Sequence, residues 1–414
     1  MAIKSGRVGV RPDQVDEYGR VVASDYLVDQ LKEVLPPSGE LVPLHVNLNG
    51  TYTPASGTGY GPVTVTVPLD VDAIASGRPR GAMTLTVEEV VDYAFYHKDI
   101  TRLTCSNATR IGEGAFSHCT QLTNFTASSV TVLDNGAFSF CNRLVSAAIS
   151  ALQTMGNECF MQCSDLESAT FTHVTSIGTS AFEGCSKLST LNMPLLSSIG
   201  ANAFKGCSLL TSFSNSNVVT LDASTFESCT GLTSIDVPNV TVLGNGCFKI
   251  CNHLTDTIFP KVTSMGSQVF SSVESKLVFP SLVITPTNSF SGWRGKELDL
   301  GESITTMRGY TFNGFNTTAT YKFDTLVLRN PSQVVTLETN NFNNNTAHFA
   351  PNQSGGTVYI PKVLYDHLGD GTSLDYMTSA TWTAMLNLNS NNTFAPIEGS
   401  YYETHYADGT LINS

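Results

Sequence analysis

The chain has 414 residues, of which 14% are charged, and a net charge of −13 at neutral pH. That balance offers no general phosphate-binding surface and speaks against nucleic acid as a partner. No apolar run approaches the roughly 20 residues that cross a bilayer, so no membrane insertion is expected, and the opening MAIKSGRVGVRPDQVDEYGR lacks the apolar core of a secretion signal.

Residues 1–80 read as an attachment module. The stretch YLVDQLKEVL (26–35) has the apolar spacing of one short helix, which Pro36 and Pro37 end. Alternating runs at His45 to Leu48 and Val63 to Val67 flank a Gly/Ser/Thr loop. They predict a small β-hairpin set apart from the rest of the chain, with Asp70 to Gly81 as a linker.

From near Met83 the chain repeats itself. Phe116, Phe138, Phe160, Phe182, Phe204, Phe226, Phe248 and Phe270 recur every 22 residues, as do Cys119, Cys141, Cys163, Cys185, Cys207, Cys229 and Cys251. A fixed period of this length marks a solenoid, whose units bury their apolar faces only against neighbours. Phe95 precedes the ladder by 21 with Lys98 in the cysteine slot, the atypical coil expected at an end; Val273 later replaces cysteine, and Phe290 and Phe312 come at steps of 20 and 22.

Inside one coil, Leu188, Leu191 and Met193, or Leu232, Ile235 and Val237, give the L-x-x-L-x-L signature whose alternating end forms a strand. A second apolar element comes next, at Leu196 to Ile199 or Val240 to Leu243, and Gly200 or Gly244 turns the chain. The expected architecture is a β-rich solenoid of about 10 coils over 81–316. Irregular last coils and a C-terminal cap are expected over 317–414, where TNNFNNNTAHF loosens the pattern.

The ladder cysteines stack about 4.8 Å apart and point the same way, which does not suit disulfides. Cys159 and Cys247 add C-x-x-x-C pairs, but they lie four coils apart and occupy a slot that holds alanine at 115, 137, 181 and 203, so they read as small buried hydrophobes and not zinc ligands. Free thiols suit a reducing compartment during assembly. His45, His97, His118, His173, His253, His348, His367 and His405 show no H-E-x-x-H spacing and no column locked to the repeat. Asp134, Asp222 and Asp236 form no carboxylate ladder, and nucleophile elbows and phosphate loops are absent from the sequence, so no metal, cofactor or catalytic group is expected. A sugar-cleaving pair of acids meeting across coils is the one catalytic alternative left open.

The phrase L-T-S-I-x-x-P-x-V-T-x-I-G-x-x-A-F-x-x-C, repeated over about 83–316, resembles the BspA-like leucine-rich repeat family. GTVYIPKVLYDHL with SATWTAMLN resembles that family's closing unit, at Val358, Tyr359, Ile360, Pro361 and Trp382. NGTYTPASGTGYGPVTVTVP (49–68) resembles a short module of phage tail proteins and of host surface proteins. The first resemblance implies an adhesin or binding protein without catalysis. The last implies a tail-associated protein of a virion whose N-terminal module docks to other tail proteins while the solenoid touches a host cell-surface glycan or protein. A bacterial cell-surface adhesin is the alternative, and a polysaccharide-degrading enzyme a further one; oligomeric state stays open.

The register names the surface that would make contact. Outward strand positions are Asn124, Ser146, Ser168, Thr190, Ser212, Ser234 and Asp256 in one column, and Thr126, Ala148, Thr170, Asn192, Ser214, Asp236 and Ile258 in the next. Their polar members are short and mostly neutral, which suits either plain solvated sheet or a rigid ribbon for an extended ligand.

Overall fold

A computed structural model describes residues 51–52, 63–66, 81–85, 89–90, 92–309, 311, 325–330, 336–337, 356–366, 393–398, 400, 403, 405 and 412. These form a parallel β-solenoid of about ten coils with a 22-residue period. The chain divides into two units, residues 1–196 and 197–414.

In the first unit, an eight-stranded sheet runs in the order Thr51–Tyr52, Val63–Thr66, Gly81–Leu85, Ile100–Cys105, Asn124–Ala127, Ser146–Ile149, Ser168–Thr170 and Thr190–Asn192. From Ile100–Cys105 onward the pairing is parallel and one full repeat in register: Arg102 faces Asn124, Asn124 faces Ser146, and Ser168 faces Thr190. Successive side chains on a strand point to opposite faces. Leu103, Phe125, Ala147 and Ala169 are therefore buried while their neighbours Thr104, Thr126, Ala148 and Thr170 are exposed.

The hairpin at Val63 takes Thr51–Tyr52 as its first strand, and Val63–Thr66 also pairs antiparallel with Gly81–Leu85. It therefore continues the solenoid sheet, whereas the sequence pattern sets it apart. Backbone pairing at an open sheet edge explains this, because an unpaired row of N–H and C=O groups attracts a strand. The expected helix at 26–35, the run His45 to Leu48 and the linker after Asp70 lie outside the described residues.

A second, shorter ladder stacks Glu89–Val90, Arg110–Ile111, Val132–Leu133, Thr154–Met155 and Ser176–Ile177. The third side of each coil carries the phenylalanine and is not a strand. Two residues per turn sit at positive φ, two before and two after the ladder phenylalanine, as with Gly114 and His118 or Glu158 and Gln162. This alternation tilts every second peptide so that its N–H donates to the next coil: Gly114 N to Asn135 O at 2.9 Å, Phe116 N to Ala137 O at 2.8 Å, His118 N to Ser139 O at 2.8 Å. A backbone that buries its polar groups must pair them, and here a turn does so as fully as a sheet.

Between these walls the ladder side chains fill the core. Phe95, Phe116, Phe138, Phe160 and Phe182 stack with centroids 5.2 to 5.5 Å apart. Each ladder thiol donates to the carbonyl of the phenylalanine one coil earlier: Cys141 Sγ to Phe116 O, Cys163 Sγ to Phe138 O and Cys185 Sγ to Phe160 O, all at 3.1 Å. The slot thus takes a residue that is small, apolar and able to donate one weak bond. All ten cysteines are free and buried, including Cys159 and Cys247, and burial pushes the Cys119 thiol up to about 12.

The second unit keeps the same inward set. Phe204, Phe226, Phe248, Phe270 and Phe290 are fully buried, as are Cys207, Cys229 and Cys251. Phe226 stacks on Phe248 at 5.7 Å and Phe248 on Phe270 at 5.6 Å. Trp293 takes the cysteine slot of its coil, fully buried, and donates to Ser275 O at 3.2 Å. Phe312 lies outside the described residues. Parallel pairing runs on from Glu297–Leu300 through Thr325–Leu328 and Thr357–Ile360 to Thr393–Pro396. Val358 and Ile360 are buried in this continuing sheet and Pro361 precedes a one-turn helix, Lys362–Tyr365; Trp382 is outside the described residues.

Candidate binding ribbon

The outward columns are held by the parallel register. In the first unit Ser168 pairs with Ser146 and Thr190, and Thr170 with Asn192. Adjacent strands lie about 4.8 Å apart, so each column repeats at that interval. Thr126, Thr170, Thr190 and Asn192 are exposed, and Asn124, Ser146 and Ser168 half-buried. Asn124 Nδ2 donates to Ser146 Oγ at 2.9 Å, while the single proton of Thr123 Oγ1 is shared between Asn124 Oδ1 and Thr101 O, each at 2.9 Å. As acceptor from Asn124, the hydroxyl of Ser146 keeps its own proton to donate.

The same columns begin one coil earlier than the sequence pattern places them. Arg102 and Thr104, both exposed, face Asn124 and Thr126 across the sheet. The signal was available: each stands 22 residues before a ribbon residue, in a coil whose phenylalanine spacing is off by one. Arg102 puts a positive charge at this added rung.

In the second unit Ser212, Ser214, Ser234, Asp236 and Asp256 are all exposed, with Ser212 facing Ser234 and Ser214 facing Asp236. Ser214 Oγ donates to Asp236 Oδ2 at 3.0 Å, and Asp256 Oδ1 accepts from the Lys276 backbone N–H at 2.9 Å. Asp256 is thus engaged as a local backbone cap.

The outward position then changes character. Val278 faces Ile258, Asp299 faces Val278, and Val327 faces Asp299, yet Val278, Asp299 and Val327 are 0% exposed. Val278, Val327 and Ile397 belong to one buried apolar cluster, against which Ile258 and Tyr359 pack. Asp299 accepts two bonds from Arg329, Nε to Oδ1 at 2.8 Å and Nη2 to Oδ2 at 2.6 Å, and Arg329 Nη2 also reaches the carbonyl of His405 at 2.8 Å. A returning C-terminal segment therefore covers this stretch, and the open ribbon of the second unit is limited to the coils before it.

A second cluster has no counterpart in the sequence reading. His97 and His118 occupy the same slot of successive coils, their rings stacked 4.4 Å apart and 20° from parallel, and His118 stacks in turn on Phe140 at 4.6 Å. These two histidines are therefore paired and not scattered. Their separation of 21 hides the match from a 22-residue ruler because the first coil is one residue short.

Chemically, the ribbon offers hydroxyl and amide groups on a rigid support. Among the described residues no three histidine, cysteine or acidic side chains converge as a metal ion would need, and no helix is long and apolar enough to cross a membrane. Repeating coils, parallel strands in register and stacked apolar ladders define a leucine-rich repeat protein. Residues 88–211 and 153–277 match the BspA type leucine-rich repeat region in six copies, and these repeats belong to that family.

Similar solved structures include a leucine-rich cell surface protein from Faecalibacterium prausnitzii, at 18% identity and a TM-score of 0.40, matched over 85% of this chain and 96% of that one. A leucine-rich repeat protein from Bacteroides ovatus is 18% identical with a TM-score of 0.46, over 81% of this chain and 98% of that one. The T. pallidum leucine-rich repeat protein is 20% identical with a TM-score of 0.29, over 50% and 86%. A search of curated proteins finds no match to the chain.

Proposed function

We propose that the protein is a non-enzymatic adhesion protein of the bacterial cell surface, with the outward polar columns as its contact surface for an extended glycan or protein of a host cell. The observation that carries this reading is the parallel register of Thr104, Thr126, Ala148, Thr170 and Asn192 beside Asn124, Ser146, Ser168 and Thr190, polar at every rung but Ala148. Rigid side chains at a constant interval lose little conformational freedom on contact, so weak hydrogen bonds add up along a long ligand. Membership of the repeats in the BspA type supports an adhesive role over a catalytic one.

The test is binding of the full, fluorescently labelled chain to a panel of immobilised host-surface glycans and matrix proteins. Saturable retention on one class is the expected result; uniform failure of a folded sample overturns the reading. A second reading, a tail-associated virion protein, draws on the stretch 49–68 and its resemblance to phage tail modules. It predicts that the chain sediments with tail particles, and a neighbourhood of tail and lysis genes around its own.

A further inference from the structure

We propose that the stacked pair His97 and His118 makes the first coil of the repeat array, residues 92–99, open on mild acidification. The two imidazoles lie face to face at 4.4 Å, with Tyr96 edge-on to both at 4.4 and 5.3 Å. Both histidines, like Phe140 beyond them, hold positive φ, +58°, +61° and +60°. That backbone costs a residue with a side chain something that only its surroundings repay. Hydrogen bonds from His97 N to Ser117 O and His118 N to Ser139 O hold that conformation, and ring stacking adds to them most while both imidazoles are neutral.

The hydrogen bonds fix where a proton would go. Ser139 Oγ donates to the carbonyl of Gly136 at 3.0 Å and so accepts from Ser117 Oγ at 2.8 Å. Ser117 has then used its proton and accepts from His118 Nδ1 at 2.9 Å. His118 is thereby held as the Nδ1–H tautomer, and Nε2 takes the acid proton. Stacked, nearly parallel rings cannot share one metal ion, since an ion lies in the plane of each imidazole that binds it; the pair is a proton site.

The charged groups around the pair do not offset two new positive charges. Lys98 adjoins His97. Asp92 Oδ1 accepts from the Glu113 backbone N–H at 3.0 Å and from Arg110 at 3.3 Å, Glu113 accepts from Tyr93 at 2.5 Å, and Arg110 also takes Glu89 and Asp134. Asp99, beside Lys98, carries an interaction of its own. Burial lowers both imidazoles below the ordinary 6.5, with Lys98 adding to the effect on His97 and His97 to that on His118. An opened coil then binds more protons than a closed one below 6.5, so the closed form is fully favoured above that pH and loses ground as pH falls through the lowered values. Opening would uncover Phe116, on which Phe95 stacks at 5.2 Å.

The experiment is native-state amide hydrogen exchange on the full chain at about pH 7.5 and about pH 5, corrected for the intrinsic rate, on either side of the imidazole range. Tyr93, Phe95 and His97 report, because their amides donate to Glu113, Ala115 and Ser117 of the next coil. Protection should fall about tenfold in the acid sample, which corresponds to about 1.4 kcal/mol of opening free energy. The double variant His97→Phe/His118→Phe, a residue the slot already holds at 140, should lose that dependence; His97→Gln/His118→Gln, as at 162, serves if the phenyl pair does not fold. Glu113→Gln should keep it. An equal drop in the histidine-free variant, or none in the wild type, overturns the proposal.

Discussion

Within the second unit the same outward strand position leads two lives. At Ser214 and Asp236 it is exposed and polar; at Val278, Asp299 and Val327 it is buried, the two valines in one apolar cluster with Ile397 and the aspartate against Arg329, which also reaches His405. The inward phenylalanine persists in both as far as Phe290, while Val273 and Trp293 stand in the cysteine slot of the covered coils, so the scaffold carries on and leaves the outer column free to be surface or core. What decides is whether another segment returns to cover it. The polar choice in the open coils is therefore a property of those coils and not of the fold.

The largest test breaks the covered side. Arg329→Leu removes the guanidinium that makes two bonds to the fully buried Asp299, and should lower stability by about 3 to 5 kcal/mol; urea unfolding checks it, and a loss under about 1 kcal/mol would mean the bridge is peripheral. Phe204→Ala, on the inward ladder, opens a cavity in contact with Phe226 at 5.5 Å and should also cost about 3 to 5 kcal/mol. Gly301→Ala sharpens the contrast, because an added Cβ would stand 1.8 Å from Pro280 O. Overpacking of that kind costs about 1 to 3 kcal/mol, read as a drop in Tm. At the small end, Ser212→Ala and Asn192→Ala on the open columns should change stability by no more than about 0.5 kcal/mol. Equal shifts for these and Phe204→Ala would show the inward and outward assignment to be reversed.

The ladders were legible because each residue type repeats at one interval, and a side chain stacked on its own kind has the same needs in every coil. Asn124 to Asp236 followed from strand alternation once Leu191 and Met193 were set inward. Other features carry no such mark. The positive-φ slots hold Tyr93, Glu158, Asn202 and Gln268 as well as glycines, since hydrogen bonds to the next coil, and not residue type, impose the conformation. The cover over Asp299 depends on contacts of 30 and 76 residues' separation, Asp299 to Arg329 and Arg329 to His405. Such contacts leave no periodic trace.

The central claim is that the open columns make contact while the ladders only hold them in place. The direct measurement compares the wild type with Thr170→Lys/Asn192→Lys, two exposed side chains that face each other across adjacent strands, in both melting and binding to whichever immobilised ligand retains the chain. The account predicts an unchanged Tm and at least about a tenfold loss of affinity, equivalent to about 1.4 kcal/mol. Undiminished binding by a folded double variant would contradict it and move the contact surface elsewhere on the coils.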